Sequence, residues 1–285
     1  MLLLPCIAMA DIPMRVTLPH TQTFTLAGAE RDYLIEIAVP NTPPPEAGYP
    51  VVYVLDGNAY LPLIRAARDT LRRDDQTAPP LIVAIGYPDT ERFDTARRWE
   101  DFTPSGVERP DSAPGASRCQ GGADRFLAFI DDTLKPWVAS HYAIDPQHQA
   151  LMGHSLGGLF TLHALLSQPE GFSHYIAISP SLWWYGATPL EELAACHPDW
   201  RLPEDTHVML GVGEREQPPA HAILTTERAM RQRAHAMVDN AQGFAAWLDG
   251  RSPESVAFTL FANEDHASVM WPAARAGVTF VGKTP

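Results

Sequence analysis

The sequence is short of cysteine, of long apolar runs and of positive charge, and each shortage removes a class of protein. Its three cysteines, Cys6, Cys119 and Cys196, have no metal-type spacing, and an odd count does not make a disulfide framework. They read as packing or surface thiols. No run of about 18 apolar residues is present to span a bilayer, and no self-similar period of about 20 to 50 residues points to a solenoid or propeller. With 34 acidic against 21 basic residues the formal net charge is −13. Such a chain lacks the basic face that phosphate binding needs to release counterions. This argues against a nucleic-acid partner, and a small molecule is expected instead.

The first ten residues lack any Lys or Arg, although their apolar stretch ends in Ala8-Met9-Ala10, which looks like a signal-peptidase site. Residues 1–10 therefore read either as a truncated signal or as a spurious start with translation beginning at Met9. A cytoplasmic location is expected, with the periplasm as the alternative if the segment is a truncated signal.

What remains is rich enough in apolar residues to fold as one unit. A chain of 285 residues with 45% hydrophobic and 19% charged residues can bury a large core, and residues 11–285 are expected to form a single α/β domain. Its 27 prolines are scattered through loop-like segments such as Asn41-Thr42-Pro43-Pro44-Pro45.

Apolar runs alternate with helix-length stretches in the order of a mostly parallel central sheet with helices on both faces. Phe24–Leu26 and Tyr33–Val39 alternate as an antiparallel leading pair would. The dense runs Val51–Leu55, Leu81–Ile85, Ala150–Met152, Tyr175–Ile178, Val208–Gly211 and Val256–Phe261 suit strands covered on both faces. Leu61–Arg73, Ala123–Ala139, Leu156–Ser167, Thr225–Leu248 and Ala267–Phe280 have the length and apolar spacing of crossover helices. Arg65, Arg68, Arg72 and Arg73, interleaved with Asp69, Asp74 and Asp75, read as a solvated helix face. The segment Tyr87–Gly122 is long and rich in Pro, Gly and Asp, which marks it as a functional-loop candidate.

One motif carries chemistry. Gly153-His154-Ser155-Leu156-Gly157 is Gly-x-Ser-x-Gly between a strand-like and a helix-like run. Alone the pattern is weak. In that context it describes a tight strand-to-helix turn that presents the Ser155 hydroxyl at the carboxyl edge of the sheet, with small residues giving it room. The following helix aims free amides at the same point, so the Leu156 N–H is an oxyanion-hole candidate.

A serine needs a base, and His266 stands where an α/β-hydrolase fold puts it, in the turn after the last strand and before the last helix. His154, beside the serine, reads as packing or hydrogen bonding, and His163 as a helix residue outside the chemistry. The acid should follow the strand between the two. Glu216 is preferred for its offset from Gly213, with Glu214 as the alternative.

These residues, with others along the chain, resemble the esterase family of α/β hydrolases that includes trilactone siderophore esterases, feruloyl esterases and S-formylglutathione hydrolases. The similar segments are Tyr49-Pro50-Val51-Val52-Tyr53-Val54-Leu55-Asp56-Gly57-Asn58, Arg98-Trp99-Glu100-Asp101-Phe102-Thr103-Pro104, Gly121-Gly122-Ala123-Asp124, Ile178-Ser179-Pro180-Ser181-Leu182-Trp183-Trp184 and the Glu-Asp-His before the last helix. The Arg-x-x-Asp-Phe-Thr-Pro segment looks most like siderophore esterases. The resemblance implies a second oxyanion donor at the Asn58 N–H, and relatives in which the acid position varies leave a Ser–His dyad open.

The expected activity is hydrolysis of carboxylic ester bonds in a catecholate-type trilactone siderophore, iron-loaded or free, with no metal or organic cofactor. A general carboxylesterase, or a feruloyl-type or S-formylglutathione-type hydrolase, is the alternative. A non-catalytic binding protein on the same fold is the remaining reading. Arg98, with Arg97 beside it, is expected to meet an anionic or aromatic substrate, and Trp183 and Trp184 to supply apolar surface for it.

Overall fold

A computed structural model describes residues 18–71, 78–105, 121–185, 200–252 and 254–282. The segment 1–10, all three cysteines, Arg72 and Arg73 lie outside these residues. Eight strands form one sheet: β1 Thr21–Ala27, β2 Asp32–Ala38, β3 Tyr49–Leu55, β4 Leu81–Gly86, β5 Ile144–His154, β6 His174–Ile178, β7 His207–Gly213 and β8 Val256–Phe261. Their spatial order is β1-β2-β4-β3-β5-β6-β7-β8. The pairs β1–β2 and β2–β4 are antiparallel and the other pairings are parallel. This is the α/β-hydrolase sheet, as expected.

The dense apolar runs become strands because both sides of each are covered, and their alternation divides one core into two. Val51, Tyr53 and Leu55 of β3 join a cluster with Phe126, Phe160, Trp184 and Phe244. Val52 and Val54 point the other way, toward Leu61, Ile64, Ala273 and Val278. Helix α1, Gly57–Asp69, covers this second face together with the last helix, α8, Met270–Val281. Helix α5, Leu156–Ser167, is buried nearly all round, so it stays anchored to the sheet from its first residue. No helix among the described residues is long and apolar enough to cross a membrane.

Several elements depart from the expected bounds for local reasons. Ala123–Ala139 is not one helix: a π turn at Ile130–Leu134 separates α3, Ala123–Phe129, from α4, Lys135–His141. Pro136 has no N–H for the carbonyl four residues back and its ring crowds that turn, and a π widening relieves both. Thr225–Leu248 divides at Ala236, whose φ of 46° ends α6, Glu227–His235, and starts α7, Met237–Asp249. The long segment after β4 contains an unexpected two-turn helix, α2, Thr95–Asp101, capped by the Asp94 carboxylate, which accepts the Arg97 N–H at 3.0 Å.

The reading of Arg68 as part of a solvated face is corrected. It is 3% exposed and donates to the Ala38 carbonyl at 2.6 Å while pairing with Asp69 at 2.9 Å. Its burial is tolerable because its donors are satisfied.

The chain order places the site. From β3 the chain adds β4 on one side and later β5 on the other, so the loops after β3 and β5 diverge around a crevice at the carboxyl edge. Open α/β sheets bind ligands at such a switch point.

Candidate active site

Ser155 is the single residue between β5 and α5. Its backbone, at φ 60° and ψ −118°, lies in a region that non-glycine residues enter only when the surroundings over-determine them. Here they do. The Ser155 N–H donates to the Ile178 carbonyl at 2.9 Å, and its carbonyl accepts from Leu159 at 3.0 Å and Ser181 at 3.1 Å. A Cβ on Gly153 would run into the Gly157 backbone, so the first glycine of the motif is required for the chain to close this tightly.

The base comes from the turn after β8. Asp265 folds that turn by accepting the amides of Ala267 at 2.9 Å and Ser268 at 3.0 Å, while its own N–H donates to the Ser268 hydroxyl at 3.0 Å. These bonds hold the Asp265 carboxyl below its ordinary range. The turn carries His266 to the serine: His266 Nε2 lies 3.0 Å from Ser155 Oγ. The other ring nitrogen, Nδ1, lies 2.6 Å from Glu216 Oε2. A proton on Nδ1, donated to the carboxylate, leaves the Nε2 lone pair for the serine hydroxyl.

Glu216 ends a short 3-10 turn, Glu214–Glu216, that follows β7. It is 2% exposed, and its second oxygen accepts from the Ser179 hydroxyl at 2.5 Å and the Gly213 N–H at 2.8 Å. The carboxylate is thus hydrogen-bonded on both oxygens, which is what a buried charge requires. Glu214 points elsewhere, accepting the Asn263 N–H at 2.8 Å in an exposed bridge between two loops. Of the two candidate acids, the structure brings Glu216 to the imidazole. Glu216→Gln should accordingly lower kcat by about 10²- to 10⁴-fold, because an amide cannot stabilise the imidazolium, whereas Glu214→Gln should change it less than about threefold. Steady-state rates of both variants on one ester check the ordering, and a larger loss at Glu214 would reverse the assignment.

His154 has its own partners. It is 5% exposed, its Nδ1 lies 2.9 Å from the Tyr60 hydroxyl, and its ring centroid is 4.6 Å from that of His266. Burial first, then the neighbouring His266 and Arg98 charges, push its pKa well below the ordinary value, so it packs against His266 as a neutral ring. His163 is tied to Asp124 at 2.8 Å, as expected of a residue outside the chemistry.

Two helix N-termini meet at this edge. Leu156 is the first residue of α5 and Asn58 the second of α1, so neither amide has an intrahelical acceptor. The Asn58 side chain is occupied otherwise: its amide donates to the carbonyls of Tyr87 at 3.0 Å and Thr90 at 2.9 Å and accepts the Tyr87 N–H at 2.8 Å. Only its backbone N–H remains for an oxyanion.

Of the residues expected to bind substrate, Trp184 is corrected by its burial and Arg98 is found in an ion pair. Trp184 is fully buried in the core and rests on Trp99 with centroids 5.1 Å apart, so it cannot meet a ligand. Arg98 is paired with the buried Asp56, its Nε 2.5 Å and one terminal nitrogen 3.0 Å from the two carboxylate oxygens; a guanidinium engaged this way is not a free cation in the cleft. Arg97 likewise lies over the rings of Tyr33 and Tyr87. Trp183 is only partly buried and stacks on His235 at 4.3 Å, at the edge where α6 approaches the β6 loop.

Sequence reasoning missed Ser179 and Ser181 as site residues. Ser179 holds the acid, and Ser181 Oγ lies 3.4 Å from Ser155 Oγ. The only signal was that both fall in the Ile178–Trp184 segment quoted for the resemblance.

The family described as "Putative esterase" matches residues 27–249. The chain is 35% identical over 266 residues to the ferri-bacillibactin esterase of Bacillus subtilis, covering 89% of this chain and 86% of that protein. It is 34% identical over 287 residues to the siderophore triacetylfusarinine C esterase of Aspergillus fumigatus, covering 95% and 96%. Among solved structures, the BES protein of Bacillus cereus superposes with a TM-score of 0.78 at 31% identity, over 96% of this chain and all of that one.

Proposed function

This chain belongs to that esterase family and is an ester hydrolase, and on this premise we propose that it cleaves siderophore esters by acyl transfer through Ser155. The observation that carries the reading is the continuous hydrogen-bonded chain from Ser155 through His266 to Glu216 at the sheet edge.

In this mechanism His266 Nε2 takes the Ser155 proton as Oγ attacks the ester carbonyl. The tetrahedral oxyanion is met by the Asn58 and Leu156 amides, each such donor being worth about 3 kcal/mol. Collapse breaks the ester C–O bond, and the proton on His266 passes to the departing alkoxide. A water then gives a proton to His266 as its oxygen bonds the acyl carbon. This second intermediate collapses with breakage of the Oγ–C bond, and His266 returns the proton to Ser155 Oγ, which frees the acid and restores the serine. Glu216 keeps Nδ1 protonated and stabilises the imidazolium throughout.

For the substrate, the relatives named above act on siderophores, and the partly buried Trp183 beside this edge is an aromatic surface suited to a catecholate ring. Side-by-side hydrolysis of ferric and iron-free catecholate trilactones, a short-chain aryl ester, a feruloyl ester and S-formylglutathione tests this. The trilactone should give a kcat/KM at least tenfold above the rest. A feruloyl ester or the thioester leading the series would put the alternative substrate class in its place.

A further inference from the structure

We propose that Arg98 is a positioning residue: it neutralises the buried Asp56 carboxylate and so holds the Leu55–Asn58 turn ready for an oxyanion. The inference rests on ester hydrolysis at Ser155 and adds a group to that machinery 57 positions away in the chain.

Asp56 sits in the left-handed region at φ 55° and caps α1, with its carbonyl accepting from Ala59 at 2.9 Å and Tyr60 at 3.1 Å. It is 1% exposed. One oxygen of its carboxylate lies 3.6 Å from where a Cβ on Gly157 would stand, and the Leu55 side chain lies 3.5 Å from the same point. The turn therefore rests directly on the first turn of α5, two residues beyond the serine, and Asp56 precedes the Asn58 amide by two residues.

A bare carboxylate there would oppose the negative charge that develops on the substrate oxygen, in surroundings of low effective dielectric. Arg98 cancels it with a bidentate pair, and α2 is built to deliver that guanidinium. Asp94 caps the helix, and the Arg98 guanidinium carbon lies 5.0 Å and 5.6 Å from the centroids of Phe93 and Phe102. The other ionisable groups facing this pair are Tyr60 on α1, Tyr87 after β4 and His154 at the end of β5, with Arg92 beside Tyr60. Burial keeps both tyrosines protonated and His154 neutral, so Arg98 is the cation that balances Asp56.

Removing one partner should harm catalysis more than removing both, since it leaves an uncompensated buried charge. Rates would be measured for Arg98→Ala, Arg98→Lys, Asp56→Asn and the double variant Asp56→Asn with Arg98→Ala, on a short-chain aryl ester and a ferric catecholate trilactone. Arg98→Ala should lower kcat at least tenfold on both substrates, with KM changing less than about threefold. Burial raises the Asp56 pKa, so in Arg98→Ala its carboxyl is neutral at acid pH and charged at alkaline pH. The ratio of variant to wild-type kcat should therefore fall as pH rises. The double variant should regain at least threefold over Arg98→Ala and lose that pH trend. Should Arg98→Ala fail to fold, Arg98→Lys is read instead, with a smaller and equal loss on both substrates. A loss confined to the trilactone would make Arg98 a substrate contact and overturn the proposal, as would a double variant no better than the single. Wild-type activity that depends on Ser155 keeps the reaction assignment separate from this outcome.

Discussion

Ser155→Ala is expected to reduce kcat on every ester by about 10⁵- to 10⁶-fold while leaving the fold intact. The hydroxyl is the atom that becomes bonded to the acyl group, and Ser181 Oγ, 3.4 Å away, cannot replace it. Ser181 has no contact to the His266 ring among its hydrogen bonds, whereas Ser155 Oγ stands 3.0 Å from Nε2. Residual turnover should come from the oxyanion amides and substrate binding alone. The thermal midpoint should barely move or should rise, because the substitution removes one polar atom from a partly exposed position. Activity above about 1% of wild type would mean that another group attacks the carbonyl.

His266→Ala should be nearly as damaging, at about 10⁵-fold or more, since members of such a unit fail together rather than additively. Two neighbours could be thought to take its place, and neither can. His154 packs against the same ring but is buried and engaged by Tyr60 through Nδ1. Glu216 stands behind the imidazole, locked by Ser179 and the Gly213 N–H. Removing His266 also leaves the buried Glu216 carboxylate without its partner, a charge whose isolation costs stability. His266→Ala should therefore melt lower than Ser155→Ala. Activity within tenfold of wild type would show that His266 is not the base.

The parts of this site that were legible in the sequence are those whose positions follow from chain order and local backbone. Gly153-His154-Ser155-Leu156-Gly157 announces a tight turn, and at Gly153 a Cβ would run into the Gly157 backbone. His266 follows from its place between the last strand and the last helix, and Glu216 from its distance beyond β7. The partnership of Arg98 with Asp56 was not legible, because it joins residues 42 positions apart through a helix of seven residues whose apolar pattern is too short to read. Nor could a four-residue 3-10 turn, Leu182–Tyr185, reveal that Trp184 is fully buried while Trp183 is only partly so. Both depend on which neighbours arrive from elsewhere in the chain. The same holds for Ser179, whose φ of 45° and full burial mark it as a residue placed by its contacts.

Ser155 is the residue that must carry the acyl group if ester hydrolysis runs through this site. A fluorophosphonate probe reacts with a serine whose proton is taken by a neighbouring base, and mass analysis of the labelled peptides identifies that serine. One equivalent of probe on Ser155, with hydrolysis of trilactone and aryl ester lost in parallel and no labelling of Ser155→Ala, is the predicted result. Full turnover after stoichiometric labelling of Ser155, or a folded wild-type protein that takes no label there, would contradict it.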